Sequence, residues 1–375
     1  MRLKGICAGL AVGIAAGLAL SAVRVQGAEE YSELLAREFL RPLIWLVQQI
    51  EDYYVEDVRR ETLLEGAYQG MVQQADPGGV YLPAAMTDRY GPRADETIPE
   101  LGLNTHFLPL QKAVAIDGTI PGGPAFGAGL LTGDFILDIR QYTDEEAAET
   151  EDFDSCLDVV SALHGEPGTR VVLTVVRPGA GLEREVELTR ASDQGASVQA
   201  TEMLDEEAGI GYLALTHFDE RTVGQLFTAL SRLERRGARG AILDMRFNPG
   251  GALDSALMCA DLLLDEGVLM GARSRDGKEI TQEAERGDAF PDMRIVLLVN
   301  NRTADAAEVM VAALADNGRA GLAGQRTLGR GSLRTTFDCP HDGSTIRLAV
   351  ARYLRPNGKE IENDELEESG LAPDV

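Results

Sequence analysis

Residues 240–251 read GAILDMRFNPGG, an apolar run that ends in a tight turn. A continuous run of this kind is typical of a strand that is buried on both faces of a parallel sheet. A second such run, Ile295–Val299, lies downstream. Apolar residues recur at helical spacing in Thr222–Arg235, before the first run, and in Ala306–Ala315, after the second. Because strands that alternate with helices indicate an α/β core, we predict such a core for residues 193–375.

Two segments of different character precede this core. Residues 31–71 carry apolar residues at helical spacing, and the turn signal Asp76-Pro77-Gly78-Gly79 follows them. This pattern predicts a small helical cap over residues 29–98. Short β-branched runs between glycine turns predict a β module over residues 99–192. The expected fold class is therefore a multidomain α+β chain.

The N-terminus has the pattern of a targeting segment. A basic start precedes the largely apolar run Ile6–Val23, and small residues follow at Gly27 and Ala28. This order is typical of a cleaved secretory signal peptide, while a run of this length also just reaches that of an uncleaved membrane anchor. With either alternative for residues 1–28, we expect the rest of the chain to be extracytoplasmic, either periplasmic or secreted.

Composition excludes several classes of function. The 375 residues include 35 Lys and Arg against 61 Asp and Glu, a net charge of −26. Nucleic-acid backbones are held mainly by Lys and Arg, so this balance argues against nucleic-acid binding. The four histidines show no metal-ligand spacing, and we predict neither a metal nor a cofactor. Cys259 is predicted in the core, and a Cys156–Cys339 bridge stays an open alternative.

These elements, in this order, resemble the C-terminal processing peptidases, also called tail-specific proteases. The resemblance covers nearly everything after residue 30, and it implies that the β module is PDZ-like and that the core is distantly similar to the crotonase fold. The motifs that carry it are Gly70-Met71, Asp76-Pro77, Gly123-Pro124-Ala125, Ala128-Gly129, Gly133-Asp134, Gly211-Tyr212, residues 242–251, Val299-Asn300, Tyr353, Pro356, Gly358 and residues 370–375.

The resemblance also locates three catalytic positions, and all three carry unexpected residues. Members of the family use a serine nucleophile, a lysine base and a glutamine one helical turn after the lysine. The serine motif reads TADAAE at residues 303–308, which puts Asp305 at the nucleophile position. The lysine motif reads TLGRG at residues 327–331, which puts Arg330 at the base position and Arg334 at the glutamine position.

These substitutions predict an inactive peptidase. Aspartate lacks the hydroxyl that forms an acyl-enzyme, and arginine effectively never gives up its proton, so it cannot serve as a general base. We predict a scaffold or regulator that binds protein C-terminal tails or unfolded segments, a second copy of itself or a partner peptidase. The alternatives are an active endopeptidase with Thr303 or Ser332 as nucleophile, and a different enzyme on the same core.

Asp305 has a structural interpretation as well. Asp305 and Glu308 are close to a capping box, and a carboxylate is favoured at a helix N-terminus. We hypothesise that the Asp305 carboxylate occupies or blocks the oxyanion hole, and that Arg330, alone or with Arg334, pairs with it. Such a charge-assisted contact would replace a reactive serine–lysine pair.

The resemblance implies two further binding features. In family members an N–H after the nucleophile and a glycine of the Asn-Pro-Gly-Gly turn hold the oxyanion, which corresponds here to Ala306 with Gly250 or Gly251. The PDZ-like module holds a peptide carboxylate at a loop that corresponds to Leu101-Gly102-Leu103. Glu100 stands beside this loop where the family usually has glycine, so tail binding is expected to be weak or altered.

Overall fold

The computed structural model describes residues 40–76, 79–84, 97–98, 100–108, 113–143, 146–147, 162–178, 183–191, 195–285, 287–362 and 369–375. The chain divides into two compact units. One contains residues up to Gly91 together with Thr335–Leu348, and the other contains Pro92–Arg334 together with Ala349–Val375. None of the described helices is long and apolar enough to cross a membrane. The predicted signal or anchor, residues 1–28, lies outside the described residues.

The helical prediction for residues 31–71 is confirmed at residues 40–53 and from residue 60 onward, whereas residues 54–59 are not helical. Two helices are followed by a short strand. The side-chain oxygen of Gln69, in the second helix, accepts the backbone N–H of Tyr81, in the strand, at 2.8 Å. This strand pairs antiparallel with residues 345–347. The elements are helix α1 (Leu40–Tyr53), helix α2 (Arg60–Ala75) and strand β1 (Val80–Leu82).

The predicted β module is an antiparallel sheet in the second unit, and we use this name for residues 97–191. Its elements are β2 (Thr97–Ile98), β3 (Leu103–Leu108), β4 (Ala113–Thr119), helix α3 (Pro124–Gly127), β5 (Phe135–Thr143), β6 (Glu146–Ala147), β7 (Arg170–Val176) and β8 (Glu183–Thr189). The strand order is β2-β3-β4-β5-β7-β8, and β6 pairs with β5. Residues 162–163, which lie between β6 and β7, are helical.

The predicted α/β core is confirmed as a five-stranded sheet with helices between its strands. Four neighbouring strands are parallel and a fifth, at one edge, is antiparallel. The strand order is β15-β14-β11-β10-β9. The elements are β9 (Val198–Asp205), β10 (Ile210–Leu215), α4 (Thr222–Arg235), β11 (Gly240–Asp244), α5 (Leu253–Asp261), β14 (Arg294–Val299), α6 (Ala306–Asp316) and β15 (Ala320–Gly324).

Four of the described strands remain, and residues 335–348, which include parts of the last two, belong to the first unit. The four strands are β12 (Val268–Ser274), β13 (Glu279–Glu283), β16 (Ser332–Asp338) and β17 (Thr345–Leu354). Strands β12 and β13 form an antiparallel pair, and residues 351–354 of β17 pair with the other side of β12. Helix α6 is buried along residues 306–314, as expected for a helix that is apolar all round.

The order of the core sheet decides where a site can form. Parallel strands end at one edge of a sheet, and ligands of α/β folds bind beyond the carboxyl ends of such strands. Strand β11 lies at the centre, between β10 and β14. The segments that follow β11, β14 and β15 carry every core residue that the sequence predicts for the site.

Candidate active site

The turn after β11 is held in shape by asparagine side chains. Asn248 is fully buried, donates to the carbonyl of Leu215 at 2.9 Å and accepts the N–H of Gly250 at 2.9 Å. Asn300 accepts the N–H of Phe247 at 3.0 Å, and Phe247 has a positive φ of 65°. The Gly250 N–H thus has a partner within its own turn, which makes Gly251 the better glycine for the predicted oxyanion role.

Both glycines of this turn are required by close approaches. A Cβ on Gly250 would lie 2.9 Å from the Cβ of Asp305 and 3.0 Å from the backbone nitrogen of Ala306. A Cβ on Gly251 would lie 2.3 Å from the carbonyl oxygen of Phe218. Their φ angles of 98° and 125° are also in the region that side chains disfavour. The structure therefore brings Gly250, Asp305 and Ala306 together, as the sequence predicts.

Residues 303–308, which we call the nucleophile segment, contain a strained backbone position. Asp305 has φ 54° and ψ −124°, a conformation that costs a non-glycine residue about 1–3 kcal/mol. A strained turn between a strand and a helix is the geometry that presents a nucleophile in hydrolases. Position 305 keeps this geometry although it carries a carboxylate.

The predicted capping box is confirmed. The Asp305 N–H donates to Glu308 Oε2 at 3.1 Å, and the Asp305 side chain accepts from the N–H of Glu308. Ala306 is the first residue of α6, where a backbone N–H has no partner inside the helix. A carboxylate at this end is also favoured by the helix dipole. Asp305 therefore stabilises the start of helix α6, at the position where members of the family have the nucleophilic serine.

Glu308 connects the nucleophile segment to residues 327–334, which we call the base segment. Its side chain is fully buried. Besides the Asp305 N–H, it accepts the N–H of Gly329 at 2.7 Å, the N–H of Arg330 at 2.8 Å and the hydroxyl of Thr327. Burial raises the pKa of Glu308 to about 7, although the four donors act in the opposite direction. One carboxylate thus fixes the backbone at both the nucleophile and the base positions.

The base segment directs its arginine toward the β module. Arg330 Nη2 donates to Asp117 Oδ1 at 2.9 Å, and Asp117 lies on β4. The pairing of Arg330 with Asp305 stays a prediction. Arg334 is the third residue of β16 and is half-buried, and its predicted role likewise stays a prediction.

The two alternative nucleophiles have different surroundings. Thr303 is fully buried; its hydroxyl donates to the carbonyl of Met245 at 2.9 Å and accepts the N–H of Asn300 at 3.1 Å. These bonds give Thr303 the structural role that the sequence indicates. Ser332 is the first residue of β16, and its hydroxyl is buried without a hydrogen-bond partner in the described structure.

The predicted carboxylate loop is anchored through its carbonyl groups. The Leu101 carbonyl accepts the N–H of Ala125 at 3.0 Å, and the Gly102 carbonyl accepts the N–H of Ile120 at 2.9 Å. Glu100 does not point freely to solvent, because its Oε2 lies 3.3 Å from Nδ1 of His164. Strand β2 pairs with residues 103–104, so an added peptide strand would meet β2 at this edge.

Two of the four cysteines, Cys259 and Cys339, lie within the described residues. Cys259 is buried, as predicted, and burial raises the pKa of its thiol to about 12. Cys339 is a free thiol, and Cys156, its suggested partner, lies outside the described residues. Among the residues that the structure describes, no three His, Cys, Asp or Glu side chains could together hold a metal ion.

The site therefore has the framework of a serine-type hydrolase: a strained turn at a helix start, a glycine turn against it, and a base position joined to both. Comparison with known proteins agrees. Residues 209–375 match the profile of peptidase family S41, and the chain belongs to the family of C-terminal processing peptidases.

Three relatives illustrate this membership. The chain is 29% identical to the carboxy-terminal-processing protease of Bartonella bacilliformis over 88% of this chain and 73% of that protein. It is 31% identical to the carboxy-terminal processing protease CtpA of Bacillus subtilis over 88% of this chain and 66% of that protein. The solved photosystem II D1 C-terminal processing protease is 28% identical, with a TM-score of 0.66 over 88% of this chain and 86% of that one.

Two residues of the site could not be recognised from sequence. Glu308 was predicted as a helix cap, but three of its four donors come from a segment that follows the next strand. Asp117 lies in the β module, far from Arg330 along the chain, and nothing in its local sequence distinguishes it. A buried acidic residue within the apolar helix α6 is the one signal that could have marked Glu308.

Proposed function

We propose that this chain is a C-terminal processing peptidase homologue that binds polypeptide segments without cleaving them. The observation that carries the proposal is the substitution of both reactive positions inside a preserved framework. Position 305 keeps the strained backbone and its contact with Gly250, yet it presents a carboxylate. Position 330 presents an arginine whose guanidinium is paired with Asp117.

The chemistry of these side chains opposes acyl transfer. An ionised carboxylate beside the oxyanion donors would compete with the negative charge of a tetrahedral intermediate, which those donors stabilise in serine hydrolases. A guanidinium cannot accept the proton of a nucleophile, because arginine stays protonated in proteins. A framework without its nucleophile and base retains only a small fraction of the rate acceleration of the complete site.

The hydrogen bonds of Thr303 argue against the main alternative nucleophile. Its hydroxyl hydrogen is directed at the Met245 carbonyl, and activation would require that this buried bond be broken. Ser332 remains the better candidate for residual activity, since its hydroxyl is buried and makes no hydrogen bond in the described structure. We therefore include Ser332 in the test below.

The ligand class follows from the loop of the β module. Because a peptide plane is trans, the N–H group of Gly102 points opposite to the anchored carbonyl of Leu101, while the N–H group of Leu103 faces strand β2, which pairs there. A backbone N–H beside a positive-φ glycine favours the binding of a carboxylate, and Gly102 has φ 65°. Together with the carboxy-terminal processing for which the relatives are named, this supports extended C-terminal segments as ligands, bound weakly because of Glu100 and outside the cytoplasm.

Cleavage and binding assays with one substrate test the proposal. The purified chain is incubated with an unfolded polypeptide that has an apolar C-terminal tail; products are followed by mass spectrometry and binding by fluorescence anisotropy. We expect binding without cleavage. Cleavage that survives rigorous purification and disappears in Ser332→Ala or Thr303→Ala would show an active peptidase instead. Cleavage that persists in both variants would also contradict the proposal.

A further inference from the structure

We infer that the Asp117–Arg330 ion pair is a latch that fastens the β module to the inactive site. The inference rests on the proposed function, since it explains how the base position came to serve another purpose. The two groups meet at 2.9 Å, and their side chains are 14% and 34% exposed, respectively. A pair this sheltered is weakened less by solvent than an open surface ion pair.

Two neighbouring contacts show that the β module packs against the core close to the latch. Gly118 follows Asp117 on β4, and a Cβ there would lie 2.5 Å from the Cβ of Pro249. Phe126 of the β module packs edge-on against Phe247, with ring centroids 5.9 Å apart. Since Pro249 and Phe247 belong to the turn after β11, the β module contacts both the turn and the base segment.

The latch is incompatible with a lysine base. A lysine accepts a proton only when it is neutral, and a carboxylate at hydrogen-bond distance stabilises its charged form. Lysine at position 330 would therefore keep its proton beside Asp117. It follows that Asp117 is a fourth determinant of inactivity, in addition to Asp305, Arg330 and Arg334.

The first test compares three revertants. One is Asp305→Ser/Arg330→Lys/Arg334→Gln, and a second adds Asp117→Asn; a third adds Asp138→Asn, a β-module carboxylate whose described ion pair is with Arg140. If the pKa of the lysine introduced by Arg330→Lys falls by one unit, its neutral fraction near neutral pH increases about tenfold. We expect Asp117→Asn to raise turnover about tenfold near neutral pH and to move the pH profile about one unit lower, whereas Asp138→Asn has neither effect.

Equal turnover and equal pH profiles with and without Asp117→Asn would overturn the latch. If no revertant turns over, the support for the proposed function from reversion is lost, and a second measurement decides on the latch independently of activity. Hydrogen exchange of residues 113–119 and 327–334 is compared in the wild type, Asp117→Asn, Arg330→Gln and the charge swap Asp117→Arg/Arg330→Asp.

The exchange experiment distinguishes an ion pair from general disruption. The single variants should exchange about fivefold faster in both segments, as expected when a partly buried ion pair is lost. The charge swap should recover most of the protection, because it restores the attraction with reversed sign. Unchanged exchange in the single variants, or a swap that exchanges as fast as they do, would contradict the inference.

Discussion

The nucleophile segment and the base segment differ in how closely they match the expected active site. The nucleophile segment retains its full backbone geometry, including the positive φ of Asp305 and the close approach of Gly250. The base segment retains its backbone bonds to Glu308, but its arginine side chain is paired with the β module. One segment thus has the backbone shape of a serine-hydrolase active site, and the other makes a side-chain contact that, by our inference, would keep a lysine base protonated.

This difference shows that the framework does not depend on the reactive side chains. Asn248, Asn300, Thr303 and Glu308 hold the backbone through buried or half-buried hydrogen bonds, and none of them occupies the nucleophile or base position of the family. Under the proposed function, three substitutions remove catalysis while the fold and the strained turn persist. The same bonds make Glu308 the residue on which both segments depend.

The largest effect is expected for Glu308→Gln. The amide nitrogen of glutamine would face two of the four donors that the carboxylate now satisfies, and each buried donor left without a partner costs about 1–3 kcal/mol. We expect the free energy of unfolding to fall by about 4 kcal/mol at pH 8, measured by urea denaturation. The control Glu283→Gln, on the exposed face of β13, should change it by less than about 0.5 kcal/mol. A small loss at position 308 would mean that the two segments are held separately.

The pH dependence of stability should show the same residue. The pKa of Glu308 is about 7 in the folded protein, against an ordinary value of 4.5. At a pH between these two values, Glu308 has lost its proton in the unfolded chain but still holds it in the folded chain. Stability therefore falls as the pH rises through this window and levels off above it. We expect a fall of about 3 kcal/mol, obtained as the difference between wild type and Glu308→Gln in denaturation series from pH 4 to 8. A flat or rising difference would contradict this account of Glu308.

The core of the fold was largely predictable, for a physical reason. The helix predicted at Thr222–Arg235 is confirmed at both ends, and the buried strands predicted at residues 240–245 and 295–299 are each correct to within one residue. Their apolar periodicity reflects burial in a local element. The capping box was also predictable, because its two residues lie within one helical turn.

The partners of the side chains were not predictable in the same way. Glu308 contacts Thr327, Gly329 and Arg330, and Arg330 contacts Asp117. These contacts depend on which strand ends lie side by side, and on the position of the β module. Sequence spacing carries no information on either. The bond from the Gly250 N–H to the Asn248 side chain was likewise not predicted, and the oxyanion roles of Gly250 and Gly251 stay predictions.

A smaller effect should separate close packing from backbone strain in the nucleophile segment. Gly250→Ala introduces a Cβ that would lie 2.9 Å from Asp305, whereas Gly318→Ala, at a similar positive φ, meets nothing within 4 Å. We expect losses of about 3 and about 1 kcal/mol in the free energy of unfolding, measured by urea denaturation. Equal losses would mean that the turn and the nucleophile segment are not in the contact described here.

The smallest effect concerns the loop of the β module. Removing the negative charge in Glu100→Gln should strengthen binding of a peptide with a free C-terminal carboxylate about threefold, as expected for a partly screened repulsion. The same peptide with an amidated C-terminus should bind both proteins equally, and Glu187→Gln, an exposed strand residue, should change neither affinity. Fluorescence anisotropy gives these values. An equal gain for the amidated peptide would exclude carboxylate recognition at this loop.

Turnover of one unfolded substrate by two proteins tests the central claim most directly. We compare the wild type with the variant Asp117→Asn/Asp305→Ser/Arg330→Lys/Arg334→Gln under identical conditions, with products identified by mass spectrometry. The account predicts no cleavage by the wild type and cleavage by the variant at about 10³ times the wild-type background. Cleavage by the wild type at the rate of the variant would show that the carboxylate and the guanidinium do not prevent catalysis, and it would contradict the account.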